Sequence, residues 1–158
     1  IHHLNEDGIY YDGILSVDFF GASLASINVQ TVATINLEDP RALYAPAEEY
    51  TGWMMTGHDK YGDYIWLENE QLGLTTANSY IYIHFSKNVA SPGSMACQMP
   101  FRADFNDLVH IIKNLGFNFD GNRRTRVFGD SIDVNIINDS PGFDPDTYRK
   151  WEGIRNAI

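Results

Sequence analysis

The chain has 158 residues, 44% hydrophobic and 20% charged, with one cysteine and a formal net charge of −10. This length predicts a single domain over 1–158 that can bury a substantial core, and this composition excludes a disordered polar chain. With Cys97 alone, no intrachain disulfide can form, so a disulfide-rich secreted scaffold is excluded and a reducing, cytoplasmic location is expected.

Turn dipeptides divide the chain into short elements. Asp7-Gly8, Asp12-Gly13 and Asp120-Gly121 tolerate the positive φ angles of tight turns. Ile14 to Phe20 predicts a first strand. Leu24 to Leu37 predicts a second, because Ile27, Val29, Thr31, Ala33, Ile35 and Leu37 alternate with a more polar row, the pattern of a sheet with one buried face. The uncharged run from Phe19 to Leu37 contains Gly21, Asn28, Gln30 and Asn36 and is too polar for a lipid-facing helix. Neither a secretory signal nor a membrane partner is expected.

Thr51 to Thr56 and Asp63 to Glu68 read as two strands around the loop at 57–62, and Ser79 to Ser86 as another. From Ala103 to Leu115, the residues Phe105, Leu108, Val109, Ile112 and Leu115 share one helical stripe, with Gly116 placed to end it. Phe117 to Phe119 and Arg126 to Ile137 predict a hairpin across Asp120-Gly121-Asn122. A second helix is expected from Asp144-Pro145, a cap followed by proline, with Trp151, Ile154 and Ile158 as its apolar stripe. The expected fold class is therefore α+β, a mainly antiparallel sheet with two helices in the C-terminal half.

Four clusters carry potential chemistry. His58, Asp59 and Asp63 stand on one hairpin tip with Tyr61; this set could hold a divalent metal, or His58 and Asp59 could act as base and orienting partner with help from His84. Hairpin tips are also ordinarily polar. Tyr80, Tyr82 and His84 alternate with Ile81, Ile83 and Phe85, so a row of polar-tipped rings should share one face, suited to binding or to plain cross-strand packing. Arg123, Arg124 and Arg126 could grip a phosphate or carboxylate, or merely offset the acidic half. Cys97 lies among small and apolar residues with no adjacent cation, which predicts an inert thiol. Phosphate-loop, dinucleotide, His-Glu-x-x-His and Gly-x-Ser-x-Gly patterns are all missing.

Charge distribution decides among the functions. Residues 1–79 hold two cations, Arg41 and Lys60, against twelve carboxylates, whereas residues 80–158 hold nine charges of each sign. A face built from the first half would repel nucleic acid and draw in basic surfaces. The expected function is a non-enzymatic interaction protein for a basic protein partner, in one form an inhibitor that mimics nucleic acid. The alternatives are a small metal-dependent hydrolase built on His58, Asp59 and Asp63, and an assembly component or carbohydrate-binding module built on Tyr80, Tyr82, Trp53 and Trp66.

Overall fold

The structure, a computed structural model, describes residues 3–4, 10–11, 13–30, 48–74, 81–86 and 97–136. Among the described residues the regular elements are nine strands, one α-helix and a short 3-10 helix at Glu70–Leu72: β1 His3–Leu4, β2 Tyr10–Tyr11, β3 Gly13–Phe19, β4 Ala22–Gln30, β5 Glu49–His58, β6 Gly62–Glu68, β7 Tyr82–Ile83, β8 Met99–Pro100, α1 Arg102–Asn114 and β9 Ser131–Asn135.

β3 and β4 form a hairpin across Phe20 and Gly21, whose φ angles of 49° and 81° are the paired positive values of a twist-compatible two-residue turn. β4 continues to β8, and a separate ladder runs β7-β6-β5-β9, all antiparallel. Parallel bridges join the two ladders. Gln98 N–H donates to the Tyr82 carbonyl (2.9 Å), His84 N–H to Gln98 (3.1 Å) and Ser86 N–H to Pro100 (2.8 Å). The β3-β4-β8 and β7-β6-β5-β9 sheets thus meet through parallel bridges between residues 83–86 and the 98–101 segment.

α1 lies across the inner face. Its buried side chains Phe105, Leu108, Val109 and Ile112 meet Tyr50 and Met54 of β5, Ile65 and Leu67 of β6, and Ile83 of β7 in one core. Leu15 and Val17 of β3 and Ile132 and Val134 of β9 pack against the same core, so the two edge strands approach each other around the helix. A cavity of about 480 Å³ separates them. The helix ends where Gly116 turns to φ 96°, with its N–H on the Lys113 carbonyl and that of Phe117 on Ile112. No helix among the described residues is long and apolar enough to cross a membrane.

Two expectations are corrected. The α+β class with two C-terminal helices gives way to a mostly antiparallel sheet with one helix of seven or more residues. Asp144 to Ile158, where the second helix was expected, lie outside the described residues; a cap and three apolar residues are local signals, and most helical stability comes from tertiary packing that no local signal supplies. The chain after α1 does not form the expected hairpin either. Residues 117–120 are irregular, and β9 pairs with β5 instead, setting Gly52 opposite Ile132 and Tyr50 opposite Val134. The half-buried row Ile132, Val134 and Ile136 thereby packs along the edge of the large sheet. The Leu24–Leu37 strand is seen as Ala22–Gln30, its remainder lying outside the described residues.

Candidate functional site

Period two gives the large sheet two faces. Tyr50 and Met54 of β5 and Ile65 and Leu67 of β6 enter the core beneath α1. Their alternates form an aromatic outer face on which Trp53 stands opposite Trp66, Met55 opposite Tyr64, and Trp66 opposite Tyr82. Met55, Tyr64 and Trp66 are buried there, with Trp53 and Tyr82 packed against them.

The segment 121–130 explains that burial. It is stitched to the end of β5 by Thr56 N–H to the Gly121 carbonyl (2.7 Å), Gly121 N–H to Met54 (3.2 Å) and Met54 N–H to Asp130 (2.8 Å). Between these stems Asn122 and Val127 exchange backbone hydrogen bonds of 2.7 and 3.1 Å. The enclosed loop folds over the outer face. Phe128 sits 5.1 Å from the Trp53 ring and 6.1 Å from that of Trp66, and the Arg123 guanidinium lies 4.6 Å above Trp66. The Trp53 indole N–H ends up buried without an acceptor.

Arg123 is also fixed at its tip, where Nη1 donates to the Tyr82 hydroxyl at 2.6 Å. Arg124 turns the other way, and its Nη2 reaches both Asp59 oxygens at 2.8 and 2.7 Å. The Asn122 side chain holds the turn by accepting from the Arg124 and Thr125 N–H groups at 2.9 and 3.3 Å. A cleft of about 250 Å³ results, bounded by residues 56–59 at the end of β5, by Tyr64 and Tyr82, and by Asn122, Arg123 and Arg124 of the loop.

His58 closes the cleft. Its Nδ1 accepts from the N–H groups of Lys60 (3.0 Å) and Tyr61 (3.3 Å), so the neutral ring carries its proton on Nε2. Burial lowers its pKa below the usual histidine value; Lys60 and Arg123 push the same way and Asp59 opposes them. Tyr61, 4.5 Å from His58, passes the stack inward to His84, whose ring is 3.8 Å away and nearly parallel. His84 is 3% exposed, and its Nδ1–H donates to the Phe85 carbonyl at 2.8 Å. Burial takes its pKa down to about 4, against the opposing pull of that hydrogen bond.

Residues singled out in the sequence therefore separate into three groups. His58, Asp59, Tyr82, Arg123 and Arg124 converge on the cleft. Asp63 lies on the helix side, accepting from Thr56 Oγ1 at 2.6 Å and standing 3.5 Å from Lys113 Nζ, while His84 is behind the stack. Trp53 and Trp66 are roofed by the loop, and Tyr80 lies outside the described residues. Among the described residues no three His, Cys, Asp or Glu side chains gather closely enough to hold a metal ion. Cys97 Sγ accepts the Tyr82 N–H at 3.4 Å, and burial raises the thiol to about 11, which leaves it protonated at neutral pH. Sequence reasoning passed over Tyr64 and Asn122; the parity of Tyr64 with Trp66 was the available signal for the first.

The opposite end of the same sheet is acidic. Glu48 and Glu49 open β5, Glu68 and Glu70 follow from β6, and Asp133 of β9 lies opposite Thr51, itself opposite Glu68. None of these five makes an ion pair among the described residues. The carboxylates with cationic neighbours, Asp59 and Asp63, are at the turn end. Asp18 stands apart on β3.

Compared with known proteins, the chain matches no family model, no curated protein and no solved structure.

Proposed function

We propose that the protein is a non-catalytic binding protein whose acidic sheet end meets a basic surface on a protein partner. One observation carries this reading: among the described residues, Glu48, Glu49, Glu68, Glu70 and Asp133 gather at one end of three neighbouring strands with no cation paired to them, while Lys60, Arg123 and Arg124 occupy the other end. Like charges held together on a rigid sheet produce a local field that a cationic surface relieves. The hydrolase alternative lacks comparable support, because Asp59 is engaged by Arg124, Asp63 by Thr56 and Lys113, and His84 is enclosed with its Nδ1 committed. The glycan-platform alternative needs open indole faces, and Trp66 is 1% exposed beneath Arg123 and Phe128.

An immobilised lysine- and arginine-rich peptide tests the reading. Capture should weaken steeply between about 0.05 and about 0.5 M salt, as exposed charges become screened. The double variant Glu49→Lys, Glu68→Lys should lose at least about tenfold in affinity. Capture that ignores both salt and the double variant would remove the basis for the proposal. A nucleic-acid-binding partner is the narrower version, and DNA should then compete with the protein for that partner.

A further inference from the structure

β9 is bonded to the sheet along one side and open along the other. Ile136 N–H donates to the Glu48 carbonyl and Met54 N–H to that of Asp130, so the even-numbered residues of this stretch make the ladder bonds to β5. Antiparallel alternation then aims the backbone N–H and C=O groups of Ser131, Asp133 and Asn135 away from β5. Among the described residues no strand pairs with that edge, and β3, joined to β4 on one side, is equally open on its other. Both open edges border the cavity of about 480 Å³. Residues 14–19 and 131–136 line it without interruption, and a strand meets a space with consecutive residues where its edge faces that space. Leu15, Val17, Ile132 and Val134 are half-buried against the core there, an apolar lip left incompletely covered. Ser16, Asp18, Ser131, Asp133 and Asn135 are exposed, and among the described residues no Lys, Arg or His lines the space.

We infer that the gap between β9 and β3 takes an extended segment of a partner protein in which apolar and basic residues alternate, added as a strand along the open edge of β9. Unpaired edge groups are a template for such pairing. A strand of about seven residues spans roughly 23 Å, enough to run the length of both edges. Its inward side chains would cover Leu15, Val17, Ile132 and Val134 and extend the core that those residues rim. Its outward side chains would stand near Asp18 and Asp133, where a basic group is attracted and an acidic one repelled. A small apolar ligand would fill the space but leave the outward N–H and C=O groups of β9 without partners, whereas a strand satisfies them. A second copy of this chain, with its net charge of −10, is disfavoured by the same carboxylates. The inference rests on the reading above for the partner's basic charge and adds the conformation in which that partner is held.

Calorimetric titration of the intact protein with three capped lysine–valine heptapeptides of equal charge tests this: one alternating, one with its valines in a block, and the alternating one N-methylated at every valine. The alternating peptide should bind about tenfold or more tightly than the blocked peptide, whose side chains cannot sort to two faces, and than the methylated one, which has lost the donors of one edge. Asp133→Pro removes an outward N–H that makes no bond to β5 and places a ring on the open edge; its melting temperature should stay within a few degrees while binding of the alternating peptide falls about tenfold or more. Asp133→Asn, which removes charge alone, should cost only a few-fold. Equal binding of all three peptides would overturn strand addition and leave the acidic-end reading standing. A preference for the alternating peptide that keeps its full affinity in Glu49→Lys, Glu68→Lys would support the strand site and overturn the acidic end. The inference also fails if the alternating peptide does not bind, if Asp133→Pro leaves its binding undiminished, or if the free protein dimerises through an edge that Asp133→Pro blocks, since a second copy would then be the occupant.

Discussion

His84 shows how one side chain sets an acid limit on the fold. Its imidazole is enclosed between Tyr61 and the core, and burial holds its pKa near 4 against roughly 6.5 in an unfolded chain. Between those values the unfolded chain binds a proton that the native protein does not. The stability gained by excluding that proton is therefore complete above about pH 6.5 and is lost as the pH falls towards 4, by about 3 kcal/mol over the window. Urea titrations of the wild type and His84→Gln from neutral to acid pH isolate this contribution, since carboxylate titration is common to both; the variant should show the shallower loss, and parallel curves would clear His84 of the role. The sequence placed His84 on the ring-bearing face with Tyr82. That parity argument assumes a continuous ladder, yet the pairing with β6 ends at Ile83, after which His84 and Ser86 bond to the 98–100 segment and the imidazole enters the interior.

Among the elements, the loop between Gly121 and Asp130 is the one on which the cleft depends, and two glycines make it feasible. A methyl group on Gly129 would collide with the Met54 carbonyl oxygen and approach the Gly121 nitrogen to 2.9 Å; one on Gly121 would meet Met55 Sδ and the Gly129 nitrogen, each at 2.5 Å. Rigid backbone supplies most of those contacts, so Gly129→Ala should force the stem away from β5 and cost about 2–3 kcal/mol in a urea titration. The lifted loop should also expose Trp66, moving its fluorescence to longer wavelength. Gly21 offers the contrast. It has open space around it and φ 81°, and Gly21→Asn should change stability by less than about 1 kcal/mol, because asparagine tolerates the left-handed region. Asp120-Gly121 was legible as a turn signal, but the reason for that glycine is close approach to β5, information held by a strand more than sixty residues earlier. The β5–β6 hairpin and α1 were legible almost to their ends because both are local, with strand alternation and helical periodicity contained in one continuous stretch.

At the largest scale, part of the charge imbalance along the chain becomes, among the described residues, a polarity along one sheet through one hairpin. Closing β5 onto β6 brings Glu48 and Glu49 beside Glu68 and Glu70, and pairing β9 with β5 adds Asp133 to the same end. Folding the 121–130 loop over the turn end delivers Arg123 and Arg124 to the opposite one. The unequal halves were visible in the sequence, whereas the position of the arginines required the tertiary return of the loop. This arrangement has a thermodynamic signature. Repulsion within the acidic end destabilises the fold and is screened by salt, while the Asp59–Arg124 and Asp63–Lys113 attractions are exposed or half-exposed pairs that salt weakens by at most a few tenths of a kcal/mol each. Among the described residues, five carboxylates without an ion pair against two weak pairs make repulsion the larger effect. Stability should therefore rise between about 0.02 and about 0.3 M salt. In Glu49→Gln, Glu68→Gln that rise should shrink and the low-salt stability should increase, both measurable as urea midpoints. In Asp59→Asn, where an attraction is removed instead, the rise should become steeper. If the double variant kept the full wild-type salt response, the five carboxylates would not be acting as one field, and a basic partner would have nothing concentrated to recognise.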